Sequence, residues 1–253
     1  MTFIEFIEQL KTEFTNRNNN DAWYNRIKYC NENVPNQNAI FQAEYPFSYY
    51  VGKLFVNEGG KFVLNQNVKL IFITMNPMLV DGYDRNNDPE LFDQESLPDF
   101  IHRMNNWFEN QNRTNSVVFN GCEKLARCII NDNKQYQGYK CLNENAVVLD
   151  WFPFYSRAFD LNIVNDAPFY YLQMLLDHVI SQLPNAKVIL ANNGVARAFE
   201  ALAKNNNIIH GPATTEIQNL DTYTIGNRTI YKFATTYKAN DLITKAGNYI
   251  REN

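Results

Sequence analysis

Little in this chain carries a common catalytic or metal-binding signature. Its 4 cysteines and 3 histidines are spread over 253 residues. Cys30, Cys122, Cys128 and Cys141 form no CxxC pair, so the spacing favours buried thiols over a zinc or iron–sulfur centre. His102, His178 and His210 are equally scattered, and no HExxH occurs. No Gly-x-Gly-x-x-Gly or Walker A loop is found, and no Gly-x-Ser-x-Gly elbow, which removes dinucleotide-binding, P-loop and serine-hydrolase readings. Neither a metal nor another cofactor is expected. No apolar run reaches the length of a membrane span. The start, Met1-Thr2-Phe3-Ile4-Glu5, lacks the basic head of a secretory signal, so a cytoplasmic protein without membrane contact is expected. Net charge is −4, which argues against a broad basic nucleic-acid footprint but leaves room for a local basic face.

What is present is apolar and aromatic. The hydrophobic share is 45% and the aromatic share 14%, enough for one large core at this length. Thr2 with Glu5 makes a capping box ahead of a helix whose inner face carries Phe3, Ile4, Ile7, Leu10 and Phe14. Asp21 is placed to cap a second helix with Trp23, Ile27 and Cys30 inward. The β-rich runs 48–56 and 61–64 flank Asn57-Glu58-Gly59-Gly60 and predict a hairpin. Beyond residue 66, strand patterns at 68–74, 146–151, 187–191 and 229–235 alternate with helical ones at 97–110, 116–131, 167–183, around 195–202, and 239–251. This order predicts a three-layer α/β/α sandwich on a four-stranded, mainly parallel sheet. Residues 1–66 are read as an N-terminal helical and hairpin elaboration of one domain spanning 1–253, with its α/β core at 67–251.

The strand ends hold the candidate chemistry. Val68-Lys69-Leu70-Ile71-Phe72-Ile73 reads as a strand buried on both faces, which Asn76-Pro77 brings to a stop. The second strand ends in Asp150-Trp151-Phe152-Pro153, and the fourth in Thr235-Thr236-Tyr237-Lys238-Ala239-Asn240. In open parallel sheets ligands bind just past such carboxyl ends. Asn and Pro also punctuate strand ends in any fold, so the signal lies in finding three such ends together.

The segment Thr74-Met75-Asn76-Pro77-Met78 and the order of elements over 67–251 resemble the uracil-DNA glycosylase superfamily, in its mismatch-specific and single-strand-selective branches. There a Gly-x-Asn-Pro-Gly loop follows the first core strand; Asn76 and Pro77 match it, while Thr74 and Met78 replace the glycines. The resemblance implies a DNA repair enzyme that flips a base out of the stack, with Asn76 positioning the attacking water. It also implies that Asp150 stands where an Asn reads the base. An ionised Asp150 accepts hydrogen bonds only, as from the amine of cytosine or adenine; a buried, protonated one donates. A turn cap or a pair with Arg157 is the structural alternative. Phe152, Phe154 and Tyr155 are candidates for stacking on the base, though aromatics beside a buried strand are commonly core. By the resemblance, Tyr83 and Phe92 are further stacking candidates. The family's His-bearing loop after the last strand is replaced here by Thr236, Lys238 and Asn240, candidates for contacting nucleic acid, DNA being the expected partner. A noncatalytic binding protein with a protein partner, or an enzyme on a nucleoside-like ligand, remains the alternative.

Overall fold

The computed structural model describes residues 1–32, 34–75, 89–110, 116–132, 134–158, 166–191, 193–207, 210–214, 217–235 and 238–253, with the backbone alone at 110, 166, 168, 198 and 210–214. Helix α1 (Phe3–Thr15) opens with the capping box: Glu5 N donates to Thr2 Oγ1 at 3.3 Å, and Thr2 N donates to Glu5 Oε2 at 2.7 Å. Phe3, Phe6, Ile7, Leu10 and Phe14 are buried, the stripe a 3.6-residue period produces. Helix α2 (Ala22–Asn31) buries Trp23, Ile27 and Cys30. Asp21 does not cap it with its side chain; Asn20 Oδ1 accepts from Ala22 N at 2.8 Å instead.

The β-rich run 48–56 is two strands, not one. β1 (Tyr50–Gly52) joins the main sheet, and β2 (Phe55–Glu58) pairs with β3 (Lys61–Leu64) in a separate hairpin. Gly52 makes the break. Its φ is +105° and an added Cβ would lie 2.7 Å from Ala146 O, so only glycine fits there.

The core continues through β4 (Leu70–Thr74), α3 (Pro89–Gln94), α4 (Leu97–Asn105), α5 (Trp107–Asn110), α6 (Val117–Ile130), α7 (Lys140–Asn145) and β5 (Ala146–Asp150). Then follow α8 (Asp166–Leu175) with a π-helical extension (Leu176–Ile180), β6 (Lys187–Leu190), α9 (Asn193–Asn205), β7 (His210–Thr214), β8 (Leu220–Ile225), β9 (Arg228–Phe233) and α10 (Asn240–Glu252). The four expected strands are neighbours and mutually parallel, in the order β5-β4-β6-β9. The expectation of a four-stranded sheet is corrected: among the described residues the sheet has 7 strands and is mixed. β1 adds antiparallel to β5 at one edge, and β8 and β7 add antiparallel beyond β9 at the other. β4 and β5 are buried through Leu149, as their apolar runs require.

After β4 the chain moves outward to β5, then crosses back over β4 to β6. Winding therefore reverses at β4, and right-handed connections send the helices to opposite faces. The packing agrees: α6 lies against α10, while α8 lies against α2 and α9. A single apolar cluster runs from Phe3 to Ile250 and includes the N-terminal helices. Among the described residues, no helix is long and apolar enough to cross a membrane.

Candidate functional site at the carboxyl edge of the sheet

The winding reverses at β4, and in open α/β sheets the carboxyl end of the strand where it reverses is where ligand crevices form. The chain ends around it are stitched together by backbone hydrogen bonds. Trp151 N donates to Thr74 O at 3.0 Å, and Phe152 N to Met75 O at 2.8 Å. Ala191 N donates to Ile73 O at 3.1 Å, and Thr235 N to Ala191 O at 2.9 Å. The ends of β4, β5, β6 and β9 thus meet at one rim.

Register places Asp150 level with Thr74 on the adjacent strand. Thr74 Oγ1 lies 2.6 Å from Asp150 Oδ1 and 3.2 Å from Leu149 O. Asp150 itself is half-buried. Burial pushes its carboxyl up to about 7, against the Thr74 hydroxyl, which favours the charged form. Among the described residues its carboxyl makes no ion pair, and Oδ2 has no hydrogen-bond partner. The pairing of Asp150 with Arg157 is therefore not found. Here an acid sits in an apolar strand end with one oxygen engaged and the other open.

The segment that follows Asp150 is held from the opposite side by the N-terminal extension. Asp150 N donates to Tyr49 O at 2.9 Å, Ser48 N to Pro153 O at 2.8 Å and Gln42 N to Tyr155 O at 2.9 Å. Ala158 N donates to Asn38 O at 2.8 Å. Residues 38–49 thus run alongside 150–158 and fix the wall of the crevice, a role that the hydropathy pattern of either segment does not reveal.

The described stacking candidates Phe92, Phe152, Phe154 and Tyr155 are all buried, Phe152 and Phe92 most clearly. Phe152 is fully buried and stacks on Phe41, with ring centroids 4.8 Å apart at 21°. Phe92 on α3 is buried among Phe14, Phe47 and Phe100, and Lys11 Nζ sits 4.2 Å over its ring. Neither offers a free face to a base in this arrangement. Phe154 packs edge-on against Trp23 and Tyr171, and Tyr155 tilts against Tyr45 at 6.1 Å. Asn76, Tyr83 and Thr236 lie outside the described residues.

On the far side of the crevice, Thr235 is buried and its Oγ1 donates to Ala191 O at 3.1 Å. Gly121 of α6 backs onto it: a Cβ there would lie 2.6 Å from Thr235 O. Asn240 is the first residue of α10 and accepts from Lys124 Nζ at 3.4 Å. Lys238 is half-buried and pairs with no acid among the described residues. Lys238 and Asn240 therefore follow Thr235 at the rim, and Lys124 adds a second cation that the sequence reading did not single out.

A separate open groove of about 420 Å³ lies between the β2–β3 hairpin and α4, lined by Phe55, Phe62, Ile101, Asp99, His102 and Asn105. It lies toward the opposite end of the sheet, because β1 runs antiparallel from Tyr50, opposite Leu149, to Gly52, opposite Val147. Its polar groups are largely engaged: Ser96 Oγ donates to Asp99 at 2.6 Å and Asn105 Nδ2 to Phe55 O at 2.7 Å. All four cysteines are free thiols, and Cys30, Cys122 and Cys141 are buried. Among the described residues no cluster of His, Cys, Asp and Glu could hold a metal. No known protein family, curated protein or solved structure matches the chain.

Proposed function

We propose that the crevice beyond β4 binds an unstacked nucleobase and that the chain is a divergent DNA glycosylase-like hydrolase. The observation that supports this reading is Asp150: a desolvated acid with an unpartnered outer oxygen at the carboxyl edge of a parallel sheet. Its outer oxygen is not among the fully buried, unpartnered polar atoms, so it is open to a ligand. Asn76, one residue beyond Met75 in the chain, is assigned to hold water by its amide, acting through orientation rather than basicity. In the hydrolysis, the water oxygen bonds to C1′ as the C1′–N bond breaks. The bonding pair leaves with the base, and the surplus water proton passes to the base or solvent. Lys238 and Lys124 are assigned to phosphates of the strand. With Phe92, Phe152, Phe154 and Tyr155 buried, Tyr83 is assigned as the stacking partner.

The test offers single-stranded and mismatched DNA containing uracil, hypoxanthine or cytosine to wild type, Asn76→Ala and Asp150→Asn. Excision by wild type that falls about 100-fold in Asn76→Ala is expected. Strong uracil excision that Asp150→Asn leaves unchanged removes Asp150 from base reading. Absence of both excision and DNA binding defeats the proposal and favours a noncatalytic protein on the same architecture.

A further inference from the structure

The Thr74 hydroxyl has two acceptors and one hydrogen. Leu149 O lies 3.2 Å from Thr74 Oγ1 and Asp150 Oδ1 lies 2.6 Å from it. If Asp150 is ionised, the hydroxyl hydrogen goes to the carboxylate and the second contact is left without a proton. If Asp150 carries a proton on Oδ1, that proton is donated to Thr74 Oγ1, and Thr74 donates its own to Leu149 O. Both short contacts are then hydrogen bonds, in a relay that runs inward, away from the open oxygen. Oδ2 is left as a neutral carbonyl-type acceptor with no partner among the described residues.

We propose, on the reading of the crevice as a base site, that Asp150 is a neutral acceptor whose proton is held inward by Thr74 and whose outer oxygen takes an exocyclic amine of the base. Thr74 is then a positioning residue and Asp150 the specificity-determining one. A protonated acid whose hydrogen faced outward would select a carbonyl instead, so the direction of the relay decides the class of ligand. An amine, as on cytosine or adenine, donates to Oδ2 without a facing lone pair. The imide edge of uracil has its single N–H between two carbonyl oxygens, so an acceptor placed to take an exocyclic amine faces the O4 carbonyl there instead.

The experiment has two independent arms at pH 6, on the full chain. In the first, infrared difference spectra between pH 6 and pH 9 follow the carboxyl band of Asp150, with Asp150→Asn as the blank. A protonated, hydrogen-bonded acid at pH 6 is expected; an ionised one overturns the inference whatever the protein binds. In the second, calorimetry compares 2′-deoxycytidine, 2′-deoxyadenosine, 2′-deoxyuridine and N4,N4-dimethyl-2′-deoxycytidine. The two amine-bearing nucleosides are expected to bind about tenfold or more tightly than the others, the size of one good base-edge contact. Thr74→Val, which keeps shape but ends the relay, is expected to lose this selectivity, and Thr74→Ser to keep it. Binding that ignores dimethylation overturns the ligand class. A protonated Asp150 with no nucleoside bound overturns the base reading itself, and the amine assignment with it.

Discussion

Asp150 is an acid whose folded surroundings favour its neutral form, and that has a consequence for stability that does not depend on any ligand. Burial carries its carboxyl from 3.8 to about 7. Between those values the folded chain keeps a proton that the unfolded chain has lost, so stability falls as pH rises from about 4 to 7 and the loss is complete above the folded value. Asp150→Asn removes this dependence while its amide N–H still reaches Thr74. The variant is expected to match wild type near pH 4 and to exceed it at pH 8 by on the order of 2 kcal/mol, a shift of this size discounted for the solvent that reaches a half-buried group. Urea titrations at the two pH values measure it. A stability difference that is the same at both would mean that Asp150 titrates normally. A residue that weakens the fold at neutral pH is retained at a cost, which is what binding sites characteristically show. The sequence offered Asp150 at a strand end in the place of a base reader, ionised and accepting or protonated and donating, with a turn cap or a pair with Arg157 as the alternative. Thr74 as its partner depends on cross-strand register, which one strand's pattern does not encode. The burial of Phe152 depends on Phe41, more than a hundred positions away in the chain.

At the scale of elements, the parallel strands were legible because their runs, such as Leu70–Thr74 and Ala146–Leu149, are apolar without alternation and so demand cover on both faces. The edges were less so. β8 and β9 are joined by Gly226-Asn227, with Gly226 at φ +58°, and a Gly-Asn pair between β-rich runs is a hairpin signal. Tyr223 and Leu220 point inward on β8 while Asp221 and Thr222 are half-exposed, a pattern too irregular to compete with the stronger strand after it. α7 (Lys140–Asn145) is shorter than two helical turns and owes its start to Glu123, whose carboxylate accepts from Leu142 N at 2.9 Å and Cys141 N at 3.3 Å. Helix α6 makes a close approach to the strand end: Gly121 lets it rest on Thr235, where a Cβ would meet backbone oxygen at 2.6 Å. Gly121→Ala is expected to lower stability by about 1–3 kcal/mol through overpacking and to displace the chain that leads to Lys238. Thermal unfolding measures the first effect and a weakened affinity for single-stranded DNA the second. An unchanged melting temperature would show that α6 withdraws without strain.

For the whole molecule, the N-terminal extension is a structural part of the site rather than an ornament on it. Its rings and the rings of the core interlock: Phe6 lies 6.1 Å from Tyr171, Phe14 5.2 Å from Phe92, Trp23 5.4 Å from Phe154 and Phe41 4.8 Å from Phe152. Each buried side chain of this size is worth about 1.5–3 kcal/mol, so the four together contribute about 10 kcal/mol, comparable with the whole stability of a typical domain. An ion pair adds geometry at the same seam, Arg17 on Asp93 at 2.8 Å, while Arg26 on Glu13 at 2.5 Å joins α1 to α2 within the extension. Residues 38–49 also carry the backbone partners of 150–158, so their loss would leave those donors and acceptors to water and free the segment that bears Asp150. A chain lacking residues 1–49 is therefore expected to lose cooperative unfolding, to bind a hydrophobic dye and to show a normal, water-exposed carboxyl at Asp150. Circular dichroism melts and the infrared titration of Asp150 on the truncated and full chains measure both effects. A truncated chain that melts cooperatively and keeps Asp150 protonated at pH 6 would mean that the parallel core builds the crevice without help from the extension.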